Sequence, residues 1–267
     1  MPCLFAHYVF GQKIRKTLPD DMRECIDTYE DQFNLGLQGP DFLFYFRPLH
    51  KNSVNQLGYK LHEKSGEFYI RKVLPIVRRK GVYSPECAYL MGFLCHYMLD
   101  SRCHPYVEQN EMEKGFAHVD MEGEFDKFLM KKRNLRPETF PAWKLIPADS
   151  LTMKTVSNLY PWLKEKDAAA GVLSFRFYKW LLTAQNPVKK KILIGVMKKA
   201  GLYEELRGQY LWDETRRGTE MISVGLFIHM EEERNQTVEM EKVLWELIKD
   251  KKKKELPKRL SLNFSGR

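Results

Sequence analysis

The sequence predicts an all-α fold, a single compact multi-helix bundle of about seven to nine helices. Three observations carry this. Apolar residues recur at three- and four-residue spacing through most of the chain. Alternating strand patterns are nearly absent. Ser, Asp and Pro stand where the periodic segments begin, and Gly or Asn where several of them end. With 267 residues, 43% apolar and 30% charged, the chain can bury a sizeable core and does not have the composition of a disordered segment.

The elements follow in order. Asp20 after Pro19 predicts a helix start, and Met22, Cys25, Ile26, Tyr29 and Phe33 then keep helical spacing up to Asn34 and Gly36. Gly39-Pro40-Asp41 reads as a turn into the apolar stretch Phe42–Phe46. Residues 53 to 79 form one long amphipathic pattern with Pro75 inside it. Ser84-Pro85-Glu86 opens a helix to about Tyr106 that is apolar on nearly every side, as a buried helix requires. A further helix spans 116 to 130. Pro137, Pro141 and Pro147 mark an irregular connection, and helices are expected over 168–184, 188–200 and 212–249. The tail carries a lysine run, 251–254, then Leu260, Leu262 and Phe264, which can dock on the body. We expect one domain over residues 1–267, with a metal-site half (1–133) and a basic helical half (148–267).

Charge divides along the same line. Of the net +9, residues 1–130 contribute 16 Lys/Arg against 18 Asp/Glu, and residues 131–267 contribute 28 against 17. Six of the seven histidines lie within the first 118 residues. No apolar run approaches the roughly 18–20 residues that span a bilayer. The start, MPCLFAH, lacks the pattern of a secretory signal. The cysteines, at 3, 25, 87, 95 and 103, are odd in number and form no CxxC pair, so a disulfide framework is not expected. A cytoplasmic location is the expectation.

Chemistry concentrates in CAYLMGFLCHYMLDSRCHPY, residues 87–106. His96, Asp100 and His104 stand at i, i+4 and i+8, a single stripe at roughly 0°, 40° and 80° on the helical wheel. A buried carboxylate between imidazoles is costly unless something positive completes it. A divalent metal does so, and this donor set suits zinc. The competing reading is a hydrogen-bonded His–Asp–His core network. His118 and Glu122 repeat the i, i+4 spacing on the next helix, where two such pairs can face one space as in di-metal bundles. The competing reading there is a solvated face, because Glu111, Glu113, Asp120, Glu124 and Asp126 surround the pair. Asp41 at a rigid turn, His62 and His7 are further candidates. For these the ordinary roles are an N-cap, an interfacial histidine and a packed histidine. His50 reads as a surface residue and His229 as a packed helix residue. Trp143, Trp162, Trp180, Trp212 and Trp245 all fall in the second half, as core residues or as the lining of a groove.

The ordered pieces HYVFG, GPDF, LHEKSG, GFLCHYMLDSRCHPY and HVDME resemble the zinc-dependent phospholipase C family, which is related to the single-strand-specific zinc nucleases. The resemblance covers residues 1 to about 130, and weakly the helical second half and the closing LNFSG. It implies an all-helical fold with a buried cluster of two or three zinc ions. Carried over by residue, His7, Asp41, His62, His96, Asp100, His104, His118 and Glu122 match metal ligands. Asp41 and Asp100 match the catalytic carboxylates, one a proposed base and the other a bridge between metals. His104 precedes Pro105 here instead of following a proline, so Cys103 stands as its alternative. Secreted relatives also use their processed N-terminal residue as a ligand, and this chain begins Met1-Pro2.

The resemblance implies a hydrolase that cleaves an anionic phosphodiester, a phospholipid or related diester, with metal-activated hydroxide. The basic second half suits an anionic phospholipid surface or another polyanion, and equally serves general solubility. Two alternatives stand beside it. One is a nuclease or other phosphodiesterase on the same metal site, with nucleic acid as substrate. The other is a metal-stabilised helical protein that binds without turnover. No protein partner follows from the sequence.

Overall fold

In the computed structural model, which describes residues 4–183, 186–211, 215–253 and 255–267, every extended element is a helix. The order is α1 (Leu4–Arg15), α2 (Asp20–Thr28), α3 (Glu30–Gly36), α4 (Ser53–Glu63), α5 (Gly66–Lys80), α6 (Pro85–Lys114), α7 (His118–Lys131), α8 (Ser150–Leu159), α9 (Glu165–Leu182), α10 (Pro187–Lys199), the single turn α11 (Tyr203–Leu206) and α12 (Glu220–Lys249). Short 3-10 turns cover Asp41–Tyr45, Ala142–Leu145, Arg207–Gln209 and Lys258–Ser261. A single pair of residues, Ser65 and Asn263, makes an isolated antiparallel bridge.

The all-α prediction holds, with more and shorter segments than expected. The 20–34 pattern divides at Tyr29, whose φ of −121° and ψ of 47° interrupt the helix. The 53–79 pattern divides at Ser65, because its hydroxyl accepts the Phe68 N–H at 3.2 Å and caps a new helix. Asp20 is the first helical residue of α2, not its cap, and Pro19 precedes it without a side-chain bond. Asn52 and Asn55 form a reciprocal capping box at the start of α4. The last long helix begins at Glu220, directly after Gly218 (φ 89°) and Thr219. Trp212, along with Met1, Pro2, Cys3 and Lys254, lies outside the described residues.

α6 is the axis of the molecule. Ser84 Oγ accepts the Cys87 N–H at 3.2 Å and Pro85 occupies the first turn. The helix continues through Pro105 and ends at Gly115, whose φ of 69° gives a left-handed cap. Residues 86 to 101 are buried without interruption. α1, α2, α3, α5, α7, α8 and α12 all pack against it. α3 comes closest: Gly36 and Gly92 face each other, and a Cβ on either would overlap backbone atoms of the opposite helix. One hydrophobic core runs from Leu4 to Phe264, and a small satellite forms around Leu182, Met197 and Tyr210. The tail docks as the apolar spacing suggests, with Leu260 and Phe264 buried. No helix among the described residues is long and apolar enough to cross a membrane.

α12 buries a carboxyl against this axis. Glu241 is fully buried, and the Cys95 thiol donates to its Oε1 at 3.3 Å. Burial holds its carboxyl well above the usual range. Its protonated form is therefore favoured by folding. Stability is fully present below the unfolded value near 4.5 and falls as pH rises through the raised one. We predict that Glu241→Gln raises Tm at pH 8, by about 2–4 °C for each kcal/mol recovered. The difference should vanish near pH 4 in a thermal melt series, and a destabilised Gln variant at pH 8 would count against a buried neutral carboxyl.

Candidate metal centre

α6 supplies the middle of the site, with His96, Asp100 and His104 buried on one stripe. α1 lays His7 against it: the His7 and His96 rings stack with centroids 4.2 Å apart, and His7 Nε2 lies 3.1 Å from Asp100 Oδ1. The turn at Gly39-Pro40 delivers Asp41, whose Oδ1 lies 3.1 Å from His62 Nε2 and 3.8 Å from His96 Nε2. α7 presents Glu122, with Oε1 3.4 Å from His104 Nε2 and 3.1 Å from His118 Nε2. All eight residues singled out in the sequence therefore converge. Their donor atoms form three groups, each within 4.8 Å: Asp41, His62, His96; His7, His96, Asp100; and His104, His118, Glu122. His96 belongs to two of them.

Cys103 is buried but joins none of these groups among the described residues. His50 is exposed, and the half-buried His229 lies 3.7 Å from Glu232. Asp41 caps no helix, since Pro40 precedes its turn without a side-chain bond. The acidic surroundings of α7 also differ from a solvated face. Asp120, Glu124 and Asp126 are buried. Asp120 pairs with Arg207 and Arg216, and Glu124 accepts from Lys127 at 2.6 Å.

Backbone carbonyls orient the rings. His62 Nδ1 donates to Gly58 O at 2.8 Å, His96 Nδ1 to Leu37 O at 3.2 Å, and His104 Nδ1 to Phe264 O at 2.8 Å. A carbonyl oxygen carries no proton, so each Nδ1 is the protonated nitrogen. In the neutral ring, each Nε2 keeps its lone pair for a metal. His96 Nε2, His104 Nε2 and Asp100 Oδ2 are buried and form no hydrogen bond of normal geometry. In a dry interior such atoms are costly unless a cation completes them.

Electrostatics agree. Burial opposes ionisation of Asp100, yet His104, His96 and His7 together hold its carboxyl well below the usual range. Burial likewise opposes ionisation of Glu122, and His118 and His104 pull it below its ordinary value. Burial disfavours charge on His104, but Asp100 and Glu122 outweigh it and raise the ring to about 9. This is a negative pocket that holds positive charge.

Three supports were not visible as functional residues in the sequence. Gly39 has φ 50°, and a Cβ there would overlap the His96 ring, so glycine alone allows the approach. Asp126 accepts the Phe5 and Ala6 N–H groups at 3.1 and 2.8 Å and anchors the start of α1 just before His7. Burial pushes its carboxyl up to about 7. It continues the His118–Glu122 spacing by another four residues, a signal that sequence periodicity does contain. The third support is the segment 262–266. Gly66 N donates to Leu262 O at 3.1 Å, Phe264 N to His62 O at 3.3 Å, and Tyr97 OH to Leu262 O at 2.9 Å. The Phe264 ring then lies 4.6 Å from that of His62. A cavity lined by His7, Asp100, His104 and Glu122 measures about 20 Å³, room for about one water.

Imidazole Nε2 and carboxylate oxygen, converging in threes with orphaned buried donors, fit zinc. The comparisons point the same way. The family model described as zinc-dependent phospholipase C matches residues 6–166, well over half of the chain and inclusive of all eight residues. No curated protein and no solved structure matches the chain. The chain belongs to the zinc-dependent phospholipase C family.

Zinc added to metal-free protein is expected to raise Tm by mass action on the folded state. His96→Ala removes a donor common to two groups and should lower zinc content by more than His118→Ala, which touches one. Metal analysis of the purified variants checks this, and equal losses would contradict the sharing of His96.

Proposed function

We propose that this member of the family is a zinc-dependent phosphodiester hydrolase that cleaves a phospholipid or closely related diester at the clustered site. The observation that carries the reading is the convergence of three donor groups through His96 and Asp100 in a chain of this family. On this reading Asp41, His62 and His96 hold one ion, and His104, His118 and Glu122 hold another. Asp100, 3.3 Å from His96 and 3.9 Å from His104, links the two, and His7 steadies it or completes a third site.

When bound, zinc supplies Lewis acidity: it draws in the phosphate oxygens, offsets their developing charge and brings the proton loss of water toward neutral pH. The chain's own groups do the rest. Asp41, set in place by the turn at Gly39-Pro40, orients the attacking water and takes its proton. Asp100 fixes the separation of the two donor groups. The water oxygen bonds to phosphorus as the P–O bond to the leaving alcohol breaks, and that alcohol takes the proton that Asp41 accepted. Buried walls of Phe264, Phe93 and Tyr97 exclude bulk water from the centre.

A second reading, a metal-stabilised protein that binds without turnover, is favoured by one observation: the cavity lined by His7, Asp100, His104 and Glu122 holds about 20 Å³, room for about one water.

Zinc-loaded protein assayed on phospholipids, soluble short-chain diesters and single-stranded nucleic acid separates the readings. Cleavage of phospholipid is expected, with His96→Ala lowering kcat/KM by about 100-fold or more. Activity that survives chelation would exclude the proposal, and cleavage confined to nucleic acid would favour the nuclease alternative. A zinc-dependent Tm with no diester cleaved would favour the second reading.

A further inference from the structure

The turn that carries Asp41 is fastened to the interior through the Gly39 carbonyl. Gly39 is buried, and its φ of 50° keeps it out of any helix. A buried carbonyl in such a turn has no helical ladder to join and needs a donor from elsewhere. Two phenols from distant parts of the chain reach it. Tyr89, near the start of α6, donates to Gly39 O at 3.2 Å, and Tyr160, at the end of α8, lies 3.4 Å from the same oxygen. The two hydroxyl oxygens are themselves 3.1 Å apart. Tyr69 of α5 backs the pair: its ring stands 5.4 Å from that of Tyr160, and its hydroxyl donates to Leu159 O at 3.4 Å.

All three tyrosines are buried, and burial pushes each phenol above its ordinary range. They therefore keep their protons and stay donors at neutral pH. A neutral phenol has one proton to give, and a carbonyl has two lone pairs to receive it. Either hydroxyl can thus serve the Gly39 carbonyl when the other is lost. The target of these hydroxyls distinguishes them from ordinary core tyrosines. Leu37 O orients His96, a Cβ at Gly39 would overlap the His96 ring, and Asp41 faces His62 and His96. The carbonyl that the phenols hold lies in the middle of that stretch, 37–41. Groups that orient metal ligands from behind typically change affinity or activity by about 10–100-fold when lost.

We propose that Tyr89 and Tyr160 are positioning residues for the Asp41 donor group. Their hydroxyls jointly hold the Gly39 carbonyl and so fix where Asp41 stands against His62 and His96. The inference deepens the zinc reading of that group and rests on it. Because both hydroxyls serve one carbonyl, their losses are not additive. Removing one leaves the other to donate, and removing both leaves the buried carbonyl without either. The effect is also local, because His104, His118 and Glu122 are carried by α6 and α7 and not by this turn.

The test compares Tyr89→Phe, Tyr160→Phe and the double variant of the full chain, which lose hydroxyls and keep their rings. In metal-free protein, amide hydrogen exchange at Gly39 and Asp41, bonded to Gly36 O and Gln38 O, should quicken about 10-fold in the double variant and not along α12. Titration with zinc against a competing chelator reads the second effect. The zinc step that Asp41→Asn removes should weaken about 3-fold in each single variant and about 30-fold in the double, with the other steps unchanged. Ile248→Val, a core change on α12, should lower Tm without either effect. Unchanged exchange at the turn, a double effect no larger than the product of the singles, or equal weakening of every zinc step overturns the proposal. If the double variant does not fold, Tyr89→Phe decides alone: turn amides and a zinc step identical to the parent's overturn it. If Asp41→Asn removes no zinc step, the zinc reading of this group falls and the inference falls with it. If Asp41→Asn removes a step that the phenylalanine variants leave intact, the inference falls and the reading stands. A parent that shows both effects and cleaves no diester keeps the positioning role and loses the hydrolase reading.

Discussion

Everything around the centre answers to one constraint, the burial of Asp100 in the middle of α6. An ionised carboxylate inside a helix that is covered on nearly all sides loses its hydration, and the loss is too large to leave uncompensated. Three histidines from two helices surround it, and the rings of His96 and His104 are in turn held by carbonyls of distant segments. The placement of α1, of the Gly39 turn and of the segment 262–266 each serves that carboxylate or an imidazole next to it. The apolar shell has two consequences. It strengthens every interaction between these groups, and it penalises any donor left without a partner. A cation resolves both, which is why the donor set and the burial together argue for metal more strongly than either does alone.

The helices that bound the centre divide their labour by face. Residues 86–101 of α6 are buried all round and therefore have no solvent side to spend on other duties. α9 has two distinct sides: Phe175 and Gly171 hold the turn of Asp41, and Leu173, Phe177 and Trp180 look outward. α7 likewise uses Glu122 for the centre and Asp126 for the first turn of α1. The Asp120 pairs with Arg207 and Arg216 tie the same helix to the second half of the chain. Residues that read as a scattered acidic cluster thus become three separate fastenings once the helix is packed.

Much of this was legible in the residues. The all-α class follows from apolar spacing, and α6 with its cap and first-turn proline follows nearly residue for residue to Tyr106. The stripe of His96, Asp100 and His104 needs only the helical period. Helix breaks were harder to see. Tyr29 has no compositional mark of a break, and Ser65 looks like any polar residue on an amphipathic face until its hydroxyl caps the next helix. The carbonyls of Leu37, Gly58 and Phe264 could not have been found from the sequence, because every residue has one and only the tertiary fold selects which of them meets an imidazole. Asp120, Glu124 and Asp126 lend weight to the competing solvated-face reading because charge usually is solvated, and the arginines that pair with Asp120 lie far along the chain.

The segment 262–266 has a further consequence, for the order of events during folding. His7 and the carbonyl that fixes His104 come from opposite extremes of the sequence, so the centre is among the most non-local assemblies in the molecule. Contacts of that kind bear the full entropy of loop closure and form late. A nascent or partly folded chain would offer its histidines and carboxylates to metal in scattered, mismatched sets. If these residues hold zinc as proposed, native coordination waits for that strap of backbone to settle, and ions captured earlier are released and bound again.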